Sequence, residues 1–512
     1  MIVKIVPGDI SEFVADVIVV NIFEGMEYIS GSMAAVDKAL GNAITRLITD
    51  GEIKGKLNEV TIIHSLGRIP AMRVAVVGLG KQNELTLNKV RDVTAEACRQ
   101  FRKIGISRVA TVAHGSGVGG LDGEKVAQAV TEGALLGLYR FNKYMTPDLE
   151  SHEIQEVILV EKDEDKIPAL ERGCNRGKVM AEATNFARDL VNEPANWKTP
   201  SQIAAVTQEM AKTYSLKCTV LGKRQIEEAG MGALLGVTQG SHEEPKFVVL
   251  HYTGDTESHA AVGLIGKGIS FDSGGISLKP SQDMWEMKGD MAGAAAVIAA
   301  ICAIAQIKPV INVTVLAPLT ENLPGGAALK PGDILRAMNN KSIEVVTTDA
   351  EGRLILADAL CYAQKSGLSP LVDVATLTGA CVVALGTLCT GVFGNNQELI
   401  NDICQAGDDA GELVWQMPMF EEYKELNKSD VADIKNSGGR QGGAITAAQF
   451  LAEFVASKPW VHLDIAGPFL SKEDKGYRVK GATGVAVRTL INYILSLSQK
   501  HMNGYREVLY EN

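Results

Sequence analysis

The chain has 512 residues, 46% of them hydrophobic and 22% charged, with 50 Lys plus Arg against 61 Asp plus Glu and a formal net charge of −11. That length exceeds one ordinary core and predicts two domains, and the composition is that of a globular protein. The acidic balance argues against phosphate-backbone binding or adhesion to an anionic membrane as the main role.

The amino terminus, Met1 to Asp9, lacks an apolar stretch behind a basic segment and reads as a first strand and turn, so no secretion signal is expected. Apolar runs at Val17–Val20, Val60–Ile63, Val74–Val77, Val109–Val112 and Val157–Val160 alternate with helical stretches such as Lys89–Ile104 and Glu124–Tyr139. This predicts an α/β domain over residues 1–165. Within it, Gly115-Ser116-Gly117-Val118-Gly119-Gly120 is a formal GxGxxG between a strand and a helix. A dinucleotide site also needs an acidic residue about 20 positions on, where the chain has Arg140, so the run reads as a tight turn. The same holds for Gly78-Leu79-Gly80-Lys81.

Residues 166–192 are expected to form a connecting helix, broken at Asn192-Glu193-Pro194. Thr199-Pro200-Ser201-Gln202 then opens another helix with a capping box and Pro at its first position. Strand candidates in the second domain, 193–512, are Cys218–Leu221, Lys246–Tyr252, Ala261–Ile265, Val310–Ala317, Leu371–Ala375 and Val461–Ile465. Two uncharged runs, Met291–Ile307 and Val374–Gln397, approach membrane-spanning length, but one is Ala-rich and the other broken by glycines. Both are expected inside a soluble core. The eight cysteines are scattered without a CxxC pair, as suits reduced thiols in the cytoplasm.

After Ala261–Ile265 comes Gly266-Lys267-Gly268-Ile269-Ser270-Phe271-Asp272, then Lys279 and Glu286-Met287-Lys288-Gly289-Asp290. A phosphate-loop reading fails, because Gly268 stands where Ser or Thr should follow the lysine. Further on, Ile343–Val346 reads as a strand leading into Thr347-Thr348-Asp349-Ala350-Glu351-Gly352-Arg353-Leu354. If that octet stays extended, Asp349, Glu351 and Arg353 share one face at the strand's carboxyl end. Alone, the octet reads equally well as a solvated turn.

Together the two stretches place Asp272, Asp290, Asp349 and Glu351 at strand ends or a helix start of one domain. Like charges gathered in a partly buried site need compensation, and paired divalent cations provide it. No HExxH motif and no Cys/His cluster is present, and His462 reads as a satisfied core histidine. The residues themselves indicate a hydrolase with two metals, leaving peptide and phosphoester substrates open.

These stretches, with Asp373-Val374-Ala375-Thr376-Leu377-Thr378-Gly379-Ala380, Asn192–Pro200 and His462–Gly467, resemble the leucyl aminopeptidase family of cytosolic peptidases with paired metals. The resemblance covers nearly all of the second domain and implies a larger catalytic α/β domain with a mixed central sheet flanked by helices. It implies Lys267, Asp272, Asp290, Asp349 and Glu351 as metal ligands, with Asp272 and Glu351 bridging two manganese or zinc ions. Lys279 and Arg353 correspond to the catalytic side chains, Arg353 holding a bicarbonate that acts as general base. Met287, Thr376, Gly379 and Ala466 match positions lining the pocket for the first residue of the substrate. The implied activity is removal of leucine-like amino-terminal residues from short peptides, by attack of a hydroxide bridging the metals, in a cytoplasmic homohexamer. Some bacterial members also bind DNA, a role the acidic charge disfavours here. An inactive scaffold is disfavoured because every ligand and catalytic position is filled. The family octet usually begins with Asn, and Thr347 departs from that, so a hydrogen bond orienting Asp349 is expected to change.

Overall fold

The computed structural model describes every residue except 27, 118, 147–151 and 511–512, with backbone alone over 503–510. Val118 of the glycine-rich run thus lies outside the described residues. The chain divides into two compact units, Met1–Glu182 with Lys472–Lys480, and Ala183–Ser471 with Gly481–Asn512. The boundary falls inside the long helix Ile167–Asn192.

In the first unit, strands β1 (Ile2–Pro7), β2 (Val17–Ile22), β3 (Val60–His64), β4 (Arg73–Gly78), β5 (Arg108–Thr111) and β6 (Glu156–Glu161) form one sheet. Their order is β1-β6-β5-β2-β4-β3, parallel throughout except for β3 against β4. Period-2 alternation sends successive side chains to opposite faces, and both faces are apolar. Ile18, Val20, Val74 and Val76 pack with Val36 and Ile44 of the helices Gly31–Ala39 and Ala43–Thr49. Val17, Val19, Ala75 and Val77 instead meet Val93 and Phe101 of Leu87–Lys103 and Ala134 of Gly123–Gly137. The segment Lys472–Lys480 returns to this unit. Arg99 donates to the Gly476 carbonyl at 2.6 Å, and the Gly476 amide donates to Glu96 Oε1 at 2.9 Å.

The second unit carries a mixed sheet built from β7 (Lys217–Leu221), β8 (Lys246–Thr253), β9 (Val262–Gly266), β10 (Gly268–Asp272) and β11 (Asn312–Asn322). Two short strands, β12 (Ile334–Arg336) and β13 (Ser342–Glu344), stand apart from it, and β14 (Leu371–Ala375), β15 (Cys389–Gly394) and β16 (Leu413–Gln416) extend it. With β17 (Ile434–Lys435) in the small sheet and β18 (Trp460–Asp464) in the large one, the large sheet runs β16-β15-β18-β14-β9-β11-β8-β7, and β10 pairs with β11. The core strands β18, β14, β9 and β11 are mutually parallel, whereas β15 and β8 run antiparallel to their core neighbours. The helices Ala292–Ile307 and Glu351–Lys365 both pack on β9 and β11.

The segment Met284–Ile307 is, among the described residues, the one helix long and apolar enough to cross a membrane, and 89% of its apolar window is buried inside the protein. Val374–Gln397 is divided among the end of β14, the helix Gly379–Leu385 and β15.

The octet departs from its extended reading. Only Ser342–Glu344 is strand, it belongs to the small β12-β13-β17 sheet, and a helix begins at Glu351. Glu351 and Arg353 therefore stand in the first turn of a helix, while Asp349 precedes it in a turn. The residues suit a helix start as well as a strand end: an acid in the first turn meets the positive end of the helix dipole.

Candidate active site

Lys267 is the single residue between β9 and β10. Its amide donates to the Val374 carbonyl at 3.0 Å, and its carbonyl accepts from the Ala294 amide at 2.8 Å, so its backbone is stapled between β14 and the helix Ala292–Ile307. A side chain at Gly352 would meet Lys267 Nζ at 2.7 Å, which explains glycine beside Glu351.

The Lys267 ammonium lies 2.7 Å from Asp290 Oδ2 and 2.9 Å from Glu351 Oε1, and donates to the Thr376 carbonyl at 2.9 Å. Lys279 Nζ lies 2.8 Å from Asp272 Oδ2 and 2.5 Å from Asp349 Oδ1. Asp272, Asp290 and Glu351 are buried and offer one oxygen each within 4.8 Å of one another. Asp349 reaches the cluster through Lys279. Its side chain is 38% exposed, against 3% for Asp272, so it forms the open edge.

Charge and burial conflict here. Four carboxylates face two ammonium groups, leaving two negative charges beside the Arg353 guanidinium, itself buried. Burial drives the Asp272 carboxyl up to about 6, Glu351 adding to the rise while Lys279 and Lys267 oppose it. Burial likewise holds Asp290 well above the carboxylate range. Glu351 goes down, because Lys267 and Lys279 outweigh its burial. For Lys267 burial pulls downward, but Asp290, Glu351 and Asp272 outweigh it and the net shift is upward. Carboxylates that burial pushes toward neutrality are relieved by added positive charge, and a set of oxygens with one amine suits hard or borderline dications. The residues fit paired divalent ions. With ions bound, their charge favours the neutral amine of Lys267.

Of three residues absent from the expected set, two hold the cluster in place and the third pins the segment that follows β14. Asn322, the last residue of β11, donates through Nδ2 to Asp272 Oδ1 at 2.8 Å and to the Thr348 carbonyl at 3.0 Å, with Glu351 Oε2 at 3.5 Å. Asn436 accepts from the Val346 amide at 2.9 Å, donates to the Thr347 carbonyl at 2.7 Å, and receives Arg353 Nη1 on its own carbonyl at 2.9 Å. Asp464, ending β18, accepts from the Leu377 amide at 3.2 Å, Thr378 Oγ1 at 2.6 Å and the Ala466 amide at 3.1 Å. The only hint in the sequence is polar residues at the ends of apolar strands. Asn322→Ala is expected to weaken metal binding about 10- to 100-fold with the fold intact; metal titration of the purified variant checks this, and unchanged affinity would contradict it.

The remaining expected residues fall as follows. Thr376 Oγ1 donates to Asp290 Oδ1 at 2.7 Å. Gly379 opens its helix behind the Thr378 cap, and with Ala466 it borders the segment pinned on Asp464. Met287 is half-buried in the helical turn Met284–Gly289, just before Asp290. The Thr347 hydroxyl accepts from the Asp349 amide at 3.3 Å, touching that residue's backbone. His462 is buried as expected but not fully satisfied: Nδ1 pairs with Asp373 Oδ1 at 2.6 Å, and Nε2 has no hydrogen-bond partner among the described residues.

A mixed α/β sheet whose core strands end beside buried carboxylates, in a donor set fit for two dications, defines a metal-dependent hydrolase. The chain belongs to the cytosol aminopeptidase family: the model of that family's catalytic domain matches residues 185–491, and the model of its N-terminal domain matches 19–148. It is a metal-dependent aminopeptidase. A "Probable cytosol aminopeptidase" of Alkaliphilus oremlandii is 45% identical over 500 residues, spanning 98% of this chain and 100% of the relative. One from Geobacter sulfurreducens is 43% identical over 495 residues, spanning 96% and 99%. Among solved structures, a tomato leucine aminopeptidase mutant superposes with TM-score 0.86 at 32% identity, covering 96% of each chain. The bottromycin maturation enzyme BotP in complex with Mn gives 0.83 at 36%, covering 94% of this chain and 100% of that one.

Proposed function

We propose that the enzyme releases leucine-like amino-terminal residues from short peptides, using two divalent ions held by Lys267, Asp272, Asp290, Asp349 and Glu351. The observation that carries this is the convergence of three buried carboxylates within 4.8 Å around the Lys267 amine. Asp272 and Glu351 would serve both ions. Manganese is the favoured ion, since a relative of this fold is known in complex with Mn, and zinc is the alternative.

Bound ions supply Lewis acidity and a water of lowered pKa. The chain's own residues do the rest. Lys279, a cation with a 23% exposed side chain, faces the open edge beside Asp349 and stabilises the oxyanion that forms as the peptide carbonyl is attacked. Arg353 would hold a bicarbonate, which would supply a general base. Its Nη1 is spent on Asn436, but the buried Nε has no hydrogen-bond partner among the described residues, and its planar fork suits a carboxylate-like anion. Met287, Thr376, Gly379 and Ala466 present no charge, so the pocket for the first side chain favours leucine or methionine.

We further propose that the enzyme works in the cytoplasm as a homohexamer. Supporting self-association, the edge strand β16 exposes Leu413 and Trp415, with Val383, Leu388 and Phe420 also exposed nearby in sequence.

The test is release of leucine from leucyl amide after chelation, after restoring manganese or zinc, and with the amino-terminally acetylated amide as control. Activity should vanish with chelator, return with metal and be absent on the blocked substrate. Cleavage that survives chelation, or that ignores the acetyl group, would contradict the reading.

A further inference from the structure

Lys198 is a buried basic residue that the chemistry above does not use. It follows the turn Ala195–Trp197, is 2% exposed, and forms no ion pair among the described residues. Lysine is seldom buried without a paired charge, because taking the ammonium out of water is costly. Burial and the neighbouring Lys288 push its pKa down to about 7, with Glu193 and Asp290 opposing. Charged or neutral, Nζ keeps N–H groups to donate, so the contact it makes does not depend on its charge.

That contact is with backbone. Lys198 Nζ donates to the Lys288 carbonyl at 2.5 Å, and Lys288 Nζ donates in return to the Asn192 carbonyl at 2.5 Å. The two lysines thus clasp segment 192–198 to the helical turn Met284–Gly289. Asn192 is itself tied down, its Oδ1 accepting from the Ala482 amide at 3.0 Å. All of these residues belong to the second unit.

The clasped turn is seated without slack. A side chain at Gly289 would meet the Phe469 ring at 2.6 Å and Val191 at 3.3 Å, so its backbone lies flush against both. Phe469 in turn donates its amide to the Ile465 carbonyl at 3.2 Å, which ties it to the stretch that carries Ala466. The turn contains Met287 and leads directly into Asp290. The Asp290 carboxylate is fixed from the far side, Oδ1 accepting from Lys267 Nζ at 2.9 Å and from Thr376 Oγ1 at 2.7 Å. Its backbone is fixed from the near side, through the Lys288 carbonyl.

We propose that Lys198 is a positioning residue for the reaction: by holding the Lys288 carbonyl, it sets how the turn presents Met287 to the first side chain of the substrate and Asp290 to its ion. The inference rests on the roles proposed above for Met287 and Asp290, and it gives a function to a lysine that touches neither substrate nor ion.

The test compares the full-length parent with Lys198→Met, which keeps the buried length but cannot donate, and with Lys288→Met, which breaks only the return contact at a half-buried position. Manganese is titrated calorimetrically into each metal-free protein, and leucyl and alanyl amides are assayed with metal saturating. Lys198→Met should weaken one of the two ions about tenfold or more and leave the other near its parental affinity. KM for leucyl amide should rise with kcat nearly unchanged, and the leucyl-to-alanyl ratio of kcat/KM should fall about fivefold or more, because the methyl of alanine makes little use of the pocket. Lys288→Met should shift that ratio the same way by about twofold, and it decides alone if Lys198→Met fails to fold. A residue that only stabilised the fold would lower the thermal midpoint and affect both amides alike. Parental ion affinities with a parental ratio would overturn the proposal, and so would equal losses on the two amides. A parent that binds no metal, or that does not prefer leucyl amide, would instead remove the reading of the site beneath it.

Discussion

Asp272→Asn is expected to lower kcat/KM for leucyl amide by about 10³-fold or more, because the loss of a shared ligand forfeits several kcal/mol of metal assistance, at about 1.36 kcal/mol per decade. The asparagine keeps the size and an acceptor for the Gly274 amide, which now donates to Asp272 Oδ1 at 2.9 Å, so the loop should hold its shape. What changes is charge. Asp272 also lies 2.8 Å from Lys279, so the substitution is expected to remove a proposed ligand and to leave the proposed oxyanion cation held by Asp349 alone, at 2.5 Å. Elemental analysis should show metal content falling with activity. Full metal content with full activity would remove Asp272 from the centre.

Lys279→Ala should separate these two effects. It takes away the cation for the oxyanion but leaves every carboxylate in place, so metal content should stay near that of the parent while kcat drops about 10²- to 10³-fold, the range for loss of one oxyanion donor. KM should move much less, since the lysine acts on charge that develops in the transition state. Removing an ammonium that now lies 2.5 Å from Asp349 should also raise affinity for a second dication. A variant that retains parental kcat with metal bound would show that Lys279 only balances local acid.

How far the sequence could be read differed by the kind of interaction. Strand alternation at Val17–Val20 and Val74–Val77 was legible because each residue's face follows from its neighbours, and both faces proved buried. The helix at Thr199 was legible through its cap, with the Thr199 amide donating to Gln202 Oε1 at 3.0 Å. The octet was misread locally, since acids two apart fit a strand face and a helix's first turn alike, and the helix beginning at Glu351 decides for the second. Asn322, Asn436 and Asp464 escaped notice for another reason. Apart from the contact of Asp464 with Ala466, each acts on groups 26 to 90 residues away, and such pairing leaves no local pattern. The same applies to Lys472–Lys480, whose place in the first unit rests on Glu96 and Arg99, more than 370 positions earlier. The carboxylates themselves could be found because charge at the ends of apolar strands is conspicuous.

The central claim is that these carboxylates and Lys267 form a centre for two ions. Anomalous diffraction from crystals of the manganese-loaded enzyme tests it most directly. The account predicts two peaks roughly 3.5–4 Å apart, both touching Asp272 and Glu351, one also touching Lys267 and Asp290 and the other Asp349. A single peak, or ions bound away from Asp272 and Glu351, would contradict it.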